Sequence, residues 1–167
     1  MSSAPGATSV VEHEIRVAAR PETVFAYFID PAKMVRWMGT DATLDPRAGG
    51  MCRIKINDAA VVQGEFVEVD PPRRIVLTWG FERNLFAVPP QSSAVEITFT
   101  PDGEETIVRL AHRQLTAPAA DTQRLGWQHY LKRLVVAAGG GTTAPDPWRD
   151  VEVASRALGS AASNTES

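Results

Sequence analysis

Histidine and cysteine are the side chains of this 167-residue chain that could bind a metal ion or carry nucleophilic chemistry, and they are few. The histidines are His13, His112 and His129, without a His-x-x-x-His spacing, and the single cysteine is Cys52. Without a ligand spacing among the histidines, and with one cysteine, a zinc site is not expected. The sequence also lacks a Gly-x-Ser-x-Gly elbow, and the Gly139–Gly141 run is not followed by the lysine of a phosphate loop. We therefore expect no metal, no cofactor and no readable catalytic motif.

His112 is the polar side chain best placed to act on a ligand. In the predicted strand Glu104–His112 it shares a parity with Val108 and Leu110, so the three side chains lie on one face. An imidazole on that face could orient a ligand or titrate near neutral pH, as in a cavity enzyme such as a cyclase or hydrolase. The other interpretation, which we favour, is an interior histidine satisfied by hydrogen bonds.

Large apolar side chains could instead form a site for a hydrophobic molecule. At the end of the stretch Gln63–Phe81, the residues Leu77, Trp79 and Phe81 share one parity of a predicted strand. Such bulk either fills a core or lines a cavity, because ligand sites are mostly apolar with few polar groups. The candidate cavity residues are Trp37, Phe66, Leu77, Trp79, Phe81, Phe86, Leu110, His112, Trp127, Tyr130 and Leu131.

The elements that position these residues follow from periodicity and from helix start signals. Alternation over Ser9–Ala18 predicts a first strand, and Pro21 and Asp30-Pro31 each suit the start of a short helix. Ala119–Ala138 predicts a long helix with an apolar stripe that includes Trp127. The predicted strands between these helices are Met51–Ile56, Ala59–Val69, Ile75–Phe81, Ala94–Thr100 and Glu104–His112.

Sequential strands joined by short turns predict an antiparallel sheet, and one long amphipathic helix at the end predicts that this helix lies across it. We expect an α+β domain over residues 10–138, in which a curved antiparallel sheet wraps around the long C-terminal helix and two short helices follow the first strand. Residues 1–9 are expected to be disordered. Residues 139–167 are expected to form a flexible tail, with a short helix near 147–158 because Asp146-Pro147 is a further start signal.

Charge and hydropathy limit the partners. The net charge is −3 and the 17 basic residues are scattered, so a nucleic-acid surface is not expected. No apolar run reaches the roughly 18 residues that span a bilayer, and the N-terminus does not resemble a signal peptide. These patterns favour a cytoplasmic protein without a membrane partner.

Several short motifs, in this order, resemble the START-like SRPBCC superfamily, and within it the family related to the C-terminal domain of the activator of heat-shock-protein-90 ATPase. The matching pieces are Pro21-Glu22-Thr23-Val24-Phe25, Asp30-Pro31 through Arg36-Trp37, Gly49-Gly50, Gly64-Glu65 through Asp70-Pro71-Pro72, Leu77-Thr78-Trp79, and Gly126-Trp127 with Tyr130-Leu131. They cover most of the chain, from about Val10 to Ala138.

The resemblance implies a helix-grip fold with an internal, often apolar cavity, and a homodimer in many bacterial members. It implies no shared catalytic motif. We expect binding of a small hydrophobic molecule. The alternatives are a stress-related or chaperone-associated interaction protein, and an enzyme that uses His112 in its cavity.

Overall fold

The computed structural model describes residues 8–166 of the chain, and residues 1–7 and 167 lie outside this range. It contains seven strands, four α-helices and two 3₁₀ helices within this range. The strands are β1 (Ser9–Val17), β2 (Asp41–Leu44), β3 (Met51–Lys55), β4 (Val61–Asp70), β5 (Arg74–Trp79), β6 (Ser93–Asp102) and β7 (Glu105–Leu115). The α-helices are α1 (Pro21–Ile29), α2 (Pro31–Met34), α3 (Ala117–Ala138) and α4 (Val151–Glu166), and the 3₁₀ helices are Glu82–Ala87 and Pro147–Arg149.

The seven strands form one antiparallel sheet in the order β1-β7-β6-β5-β4-β3-β2. Its side chains alternate as predicted: Ile75, Leu77 and Trp79 are buried on one face of β5. A register shift between Phe66 and Glu68 interrupts the pairing of β4 with β5. Such a bulge bends the strand and increases the twist, which helps the sheet to curve.

Helix α3 completes the predicted helix grip. The Thr116 side chain accepts a hydrogen bond from the Ala119 backbone N–H at 3.3 Å and so caps its first turn. Its apolar stripe, with Trp127, Leu131 and Leu134, is buried in the core. The fold is therefore the α+β helix-grip fold that the sequence predicts.

The two short helices after β1 are also present. Asp30 ends α1 and begins α2, and its carboxylate accepts a hydrogen bond from the Ala32 N–H at 2.9 Å. Trp37 follows α2, and its indole N–H donates to the Tyr27 carbonyl at 2.9 Å. This hydrogen bond ties the turn that follows α2 to helix α1.

The segment after α3 differs from the predicted flexible tail. The chain reverses direction at the glycine run, where Gly140 has a φ of +93°, and returns along the domain. Thr143 donates to the Arg36 carbonyl at 2.8 Å, and Arg133 donates to the Ala144 carbonyl at 2.8 Å. These contacts and the packing of α4 against α3 dock the segment on the domain.

The bounds at both ends of the chain also differ from those expected. Helix α4 extends to Glu166 and so runs past the short helix expected near 147–158, whose first residues are 3₁₀. At the N-terminus, Ser9 already belongs to β1, and residues 1–7 of the expected disordered segment lie outside the described range. None of the helices in the described range is long and apolar enough to cross a membrane.

Candidate functional site

A cavity of about 110 Å³ lies between α3, one end of the sheet and the docked C-terminal segment. Helix α3 supplies one wall through residues at helical spacing, which places them on the same face. Gly126 lies in the middle of that face. The α3 residues that line the cavity are Thr122, Gln123, Gly126, Trp127 and Tyr130.

Aromatic side chains at the end of β5 and just after it form a second wall. Trp79, the last residue of β5, packs on Trp127 with ring centroids 5.0 Å apart and an interplanar angle of 42°. Phe81 and Phe86 meet edge to face at 5.0 Å beside them. Trp79 therefore packs on the helix and also lines the cavity.

The C-terminal segment provides a third wall, which sequence reasoning did not assign to the site. Val151, Ala154, Ser155 and Leu158 of α4 line the cavity together with Trp148. Their three- and four-residue spacing marks one face of a helix and was visible in the sequence. What the spacing did not reveal is the surface that this face covers.

Asp146 anchors that wall. Its Oδ1 atom accepts hydrogen bonds from His129 Nε2 at 2.7 Å and from the Trp148 backbone N–H at 3.0 Å. The His129 ring stacks on the Trp148 indole at 3.9 Å, with planes 10° apart. Burial by itself raises the pKa of Asp146, but these hydrogen bonds and the charges of His129 and Arg133 lower it, and the net shift is downward. The carboxylate therefore stays charged.

Asn57 joins the same wall to the β3–β4 hairpin. Its Nδ2 atom donates to the Trp148 carbonyl at 3.0 Å, while its Oδ1 atom accepts from the Ala59 and Ala60 N–H groups at 2.8 Å each. All of these partners belong to the protein. Asn57 therefore closes the hairpin and holds the C-terminal segment, although it also lines the cavity.

Two polar atoms of the cavity residues lack such partners. Trp79 Nε1 and Tyr130 Oη are buried and have no hydrogen-bond partner among the described residues. Each side chain is 6% exposed. Burial, and next the nearby Asp146 carboxylate, raise the pKa of Tyr130, so its hydroxyl keeps its proton. The site therefore contains two buried donors without a partner, in a mainly apolar wall that also includes Thr122, Gln123 and Ser155.

His112 lies deeper in the core, and both of its ring nitrogens form hydrogen bonds with other residues of the protein. Trp127 Nε1 donates to His112 Nδ1 at 3.0 Å, and because an indole N–H can only donate, the proton of the neutral imidazole is on Nε2. Nε2 then donates to Ser93 Oγ at 2.7 Å, and Ser93 donates to the Trp79 carbonyl at 2.7 Å. Burial lowers the pKa of His112 to about 3.

This arrangement is the reverse of a catalytic Ser–His pair, because the imidazole donates to the hydroxyl rather than accepting its proton. His112 is wholly inaccessible to solvent and is absent from the cavity wall. Its geometry is that of the satisfied interior histidine favoured from the sequence.

The remaining candidates from the sequence lie elsewhere in the core. Trp37, Phe66 and Leu77 border a separate hole of about 20 Å³, too small for more than a water molecule, which Trp79 and Trp127 divide from the cavity. Leu110 and Leu131 are buried in the hydrophobic core and contribute to neither space. Of the predicted set, the cavity brings together Trp79, Phe81, Phe86, Trp127 and Tyr130.

Solved structures with this architecture are numerous. An AHSA1-like protein from Rhizobium etli is 39% identical with a TM-score of 0.70, over 88% of this chain and 92% of that one. An HSP90 activator from Plasmodium falciparum is 25% identical with a TM-score of 0.66, over 78% and 96%. CalU16 from Micromonospora echinospora shares the fold at 21% identity, with a TM-score of 0.64 over 96% and 99%.

A curated relative gives the same result by sequence. The activator of 90 kDa heat shock protein ATPase homolog 1 from Homo sapiens is 27% identical over 113 residues, which are 66% of this chain. The match spans 31% of the human protein, so the chain corresponds to about a third of its length. The model of the "Activator of Hsp90 ATPase homolog 1-like protein" family matches residues 18–139, from the end of β1 to the end of α3. With more than half of its length matched and the helix-grip fold in place, this chain belongs to the Activator of Hsp90 ATPase homolog 1-like family.

Proposed function

We propose that this protein binds a small hydrophobic molecule in the cavity between α3, the end of β5 and α4. The observation that carries the proposal is the cavity itself, which is bounded by aromatic and aliphatic side chains on three sides. An engineered apolar cavity of about 150 Å³ accepts benzene, so a space of this order suits a molecule of single-ring size. Larger molecules require α4 to move outward.

Gly126 supports this proposal. It lies in the interior of α3, where glycine is less favourable than alanine by about 0.8–1 kcal/mol. A Cβ atom at this position would meet no other atom within 4 Å, so packing does not demand a glycine. The absence of a side chain keeps open a space that borders the cavity.

The two donors without partners also support the proposal. Buried polar groups in folded proteins nearly always have a hydrogen-bond partner. Trp79 and Tyr130 both line the cavity, and both have a buried polar atom without one in the described range. A guest molecule that accepts hydrogen bonds would satisfy them.

The proposal is tested by filling the cavity from Gly126. Protein purified from its own host is examined by native mass spectrometry as wild type, Gly126→Leu and Gly126→Ala. We expect a co-purifying small molecule with the wild type and with Gly126→Ala, and none with Gly126→Leu, whose side chain occupies the space. The alanine variant controls for the change in helix propensity. A wild-type protein without any co-purifying small molecule, or the same fraction of bound molecule in all three proteins, would contradict the proposal.

A second candidate function is an interaction with a chaperone. The likeness to the human activator and to the Plasmodium falciparum HSP90 activator favours it. Such an interaction would use the surface, so capture of the host's Hsp90 by the immobilised protein should be equal for the wild type and Gly126→Leu. Failure to capture Hsp90 with either protein would argue against this candidate, whereas loss of capture only with Gly126→Leu would couple it to the cavity.

A further inference from the structure

Among the described residues no charged side chain lines the cavity, and the Asp146 carboxylate that anchors one wall is already hydrogen-bonded to His129. The residues that line the cavity within the described range include no Asp, Glu, Lys, Arg or His. A carboxylate, phosphate or ammonium group is strongly solvated in water and is buried at acceptable free energy only beside a counter-charge and several hydrogen bonds. Nothing on this wall supplies a counter-charge. A fatty acid, a phosphate ester or an amine would therefore lose more hydration free energy on entering the cavity than its contacts with the apolar wall provide.

The polar side chains of the wall also include Thr122, Gln123 and Ser155. Asn57, Trp79 and Tyr130 differ in whether they already have hydrogen-bond partners. Asn57 is committed to the hairpin and to Trp148 by three hydrogen bonds. Trp79 Nε1 and Tyr130 Oη have no partner in the described range, and the two residues belong to different walls, one at the end of β5 and one on α3. The indole N–H can only donate. What it requires is therefore an acceptor atom.

We infer that the guest is an uncharged, mainly apolar molecule of single-ring size that carries a carbonyl-type oxygen, and that this oxygen accepts a hydrogen bond from Trp79 or Tyr130. This inference rests on the proposed binding function and adds the chemical class of the ligand. It separates neutral ketones, esters and quinone-like compounds from hydrocarbons, which leave both donors without a partner, and from anions.

Three probes of the same number of non-hydrogen atoms test this inference: acetophenone, which is neutral with a carbonyl; cumene, which is neutral without one; and benzoate, which is charged. Each is titrated into the ¹⁵N-labelled full-length protein, and dissociation constants are obtained from the indole N–H signals. The Trp79 signal is assigned with Trp79→Phe. We expect acetophenone to bind about 10-fold more tightly than cumene, the effect of one hydrogen bond to a buried donor, and benzoate not to bind.

Tyr130→Phe removes the hydroxyl and keeps the ring, and Tyr27→Phe is the matched control, because Tyr27 is equally buried and lies outside the cavity wall. We expect the preference for acetophenone over cumene to fall several-fold in Tyr130→Phe, or the Trp79 N–H signal to move downfield with acetophenone alone; either result supports the inference. Equal affinity for acetophenone and cumene, or binding of benzoate, would overturn the inference and leave the proposed function standing. Binding of none of the three probes would overturn both.

Discussion

The burial of a neutral His112 predicts a specific dependence of stability on pH. Its pKa falls from 6.5 in the unfolded chain to about 3 in the folded protein because the ring is taken out of water. Between these values the unfolded state binds a proton that the folded state does not. The contribution of His112 is therefore fully present above about pH 6.5 and is lost as the pH falls toward 3.

The size of the effect follows from the same shift. One pKa unit corresponds to about 1.4 kcal/mol, so lowering the pH to about 4.5 should remove roughly 2–3 kcal/mol of unfolding free energy through His112. This is a large share of the stability of a small domain, which is about 5–15 kcal/mol. The neutral ring is held in place by hydrogen bonds to Ser93 of β6 and Trp127 of α3.

The assay is urea unfolding, followed by tryptophan fluorescence and circular dichroism, at about pH 7.5 and about pH 4.5 for the wild type and His112→Gln. Glutamine offers an acceptor oxygen and a donor NH₂ group but does not titrate. Other groups titrate in this range as well. His13, whose pKa is lowered by burial and by Arg124, is one of them. They are the same in both proteins, so the difference between the two pH-dependent losses isolates His112.

We expect the wild type to lose about 2–3 kcal/mol more than His112→Gln between the two pH values. Equal losses would refute the reasoning, because they would mean that the imidazole of the folded protein takes up a proton as readily as that of the unfolded chain. Separate transitions for fluorescence and circular dichroism would show that unfolding is not two-state, and the comparison would then be made by hydrogen exchange.

Three other positions, in α3, in the C-terminal segment and in β3, allow further tests. Gly126→Ala should raise the unfolding free energy by about 0.5–1 kcal/mol, because the added methyl group meets open space in a helix interior, and a decrease in urea unfolding would show hidden packing there. Trp148→Ala removes the stack on His129 and should speed hydrogen exchange in α4 but not in the sheet; unchanged exchange in α4 would contradict an anchoring role. Cys52 is buried with its pKa raised to about 12, so iodoacetamide at neutral pH should modify it only after denaturation, and rapid labelling of the folded protein would disprove its burial.

The sheet and the long helix could be predicted because their residues divide between water and a core at a fixed period. In β5, and in β7 as far as His112, every second side chain is buried, so Trp79 and His112 were assigned to the inward face from their parity alone. The cap at Asp30 is a local feature that directly precedes its helix.

Short elements escaped prediction. Strand β2 has only four residues, and its two inward-facing side chains, Ala42 and Leu44, are only half-buried, so the run is too short for its alternation to stand out in the sequence. Phe81 was assigned to a strand that ends at Trp79; it forms an isolated bridge with Val62 before the 3₁₀ helix Glu82–Ala87. The chain leaves the sheet after Trp79, so Phe81 does not continue the strand.

The candidate site was predicted only in part, since parity identifies the inward face but not the place on that face where space remains. Phe66 and Leu110 satisfy the same pattern as Trp79, yet they pack in the core away from the cavity. The wall formed by Leu158 depends on where the C-terminal segment docks, and the donors without partners depend on three-dimensional neighbours. Neither is encoded in a local spacing.

The third wall also separates two tasks along the chain. Ala154 and Leu158 are buried against the cavity but do not belong to the main hydrophobic core, and they lie beyond residue 139, where the family match ends. Substitutions there can reshape one side of the cavity without disturbing the residues on which folding depends. Under the proposed function, a change in a segment of about a dozen residues would thus alter which guest fits, while the helix-grip core keeps its sequence.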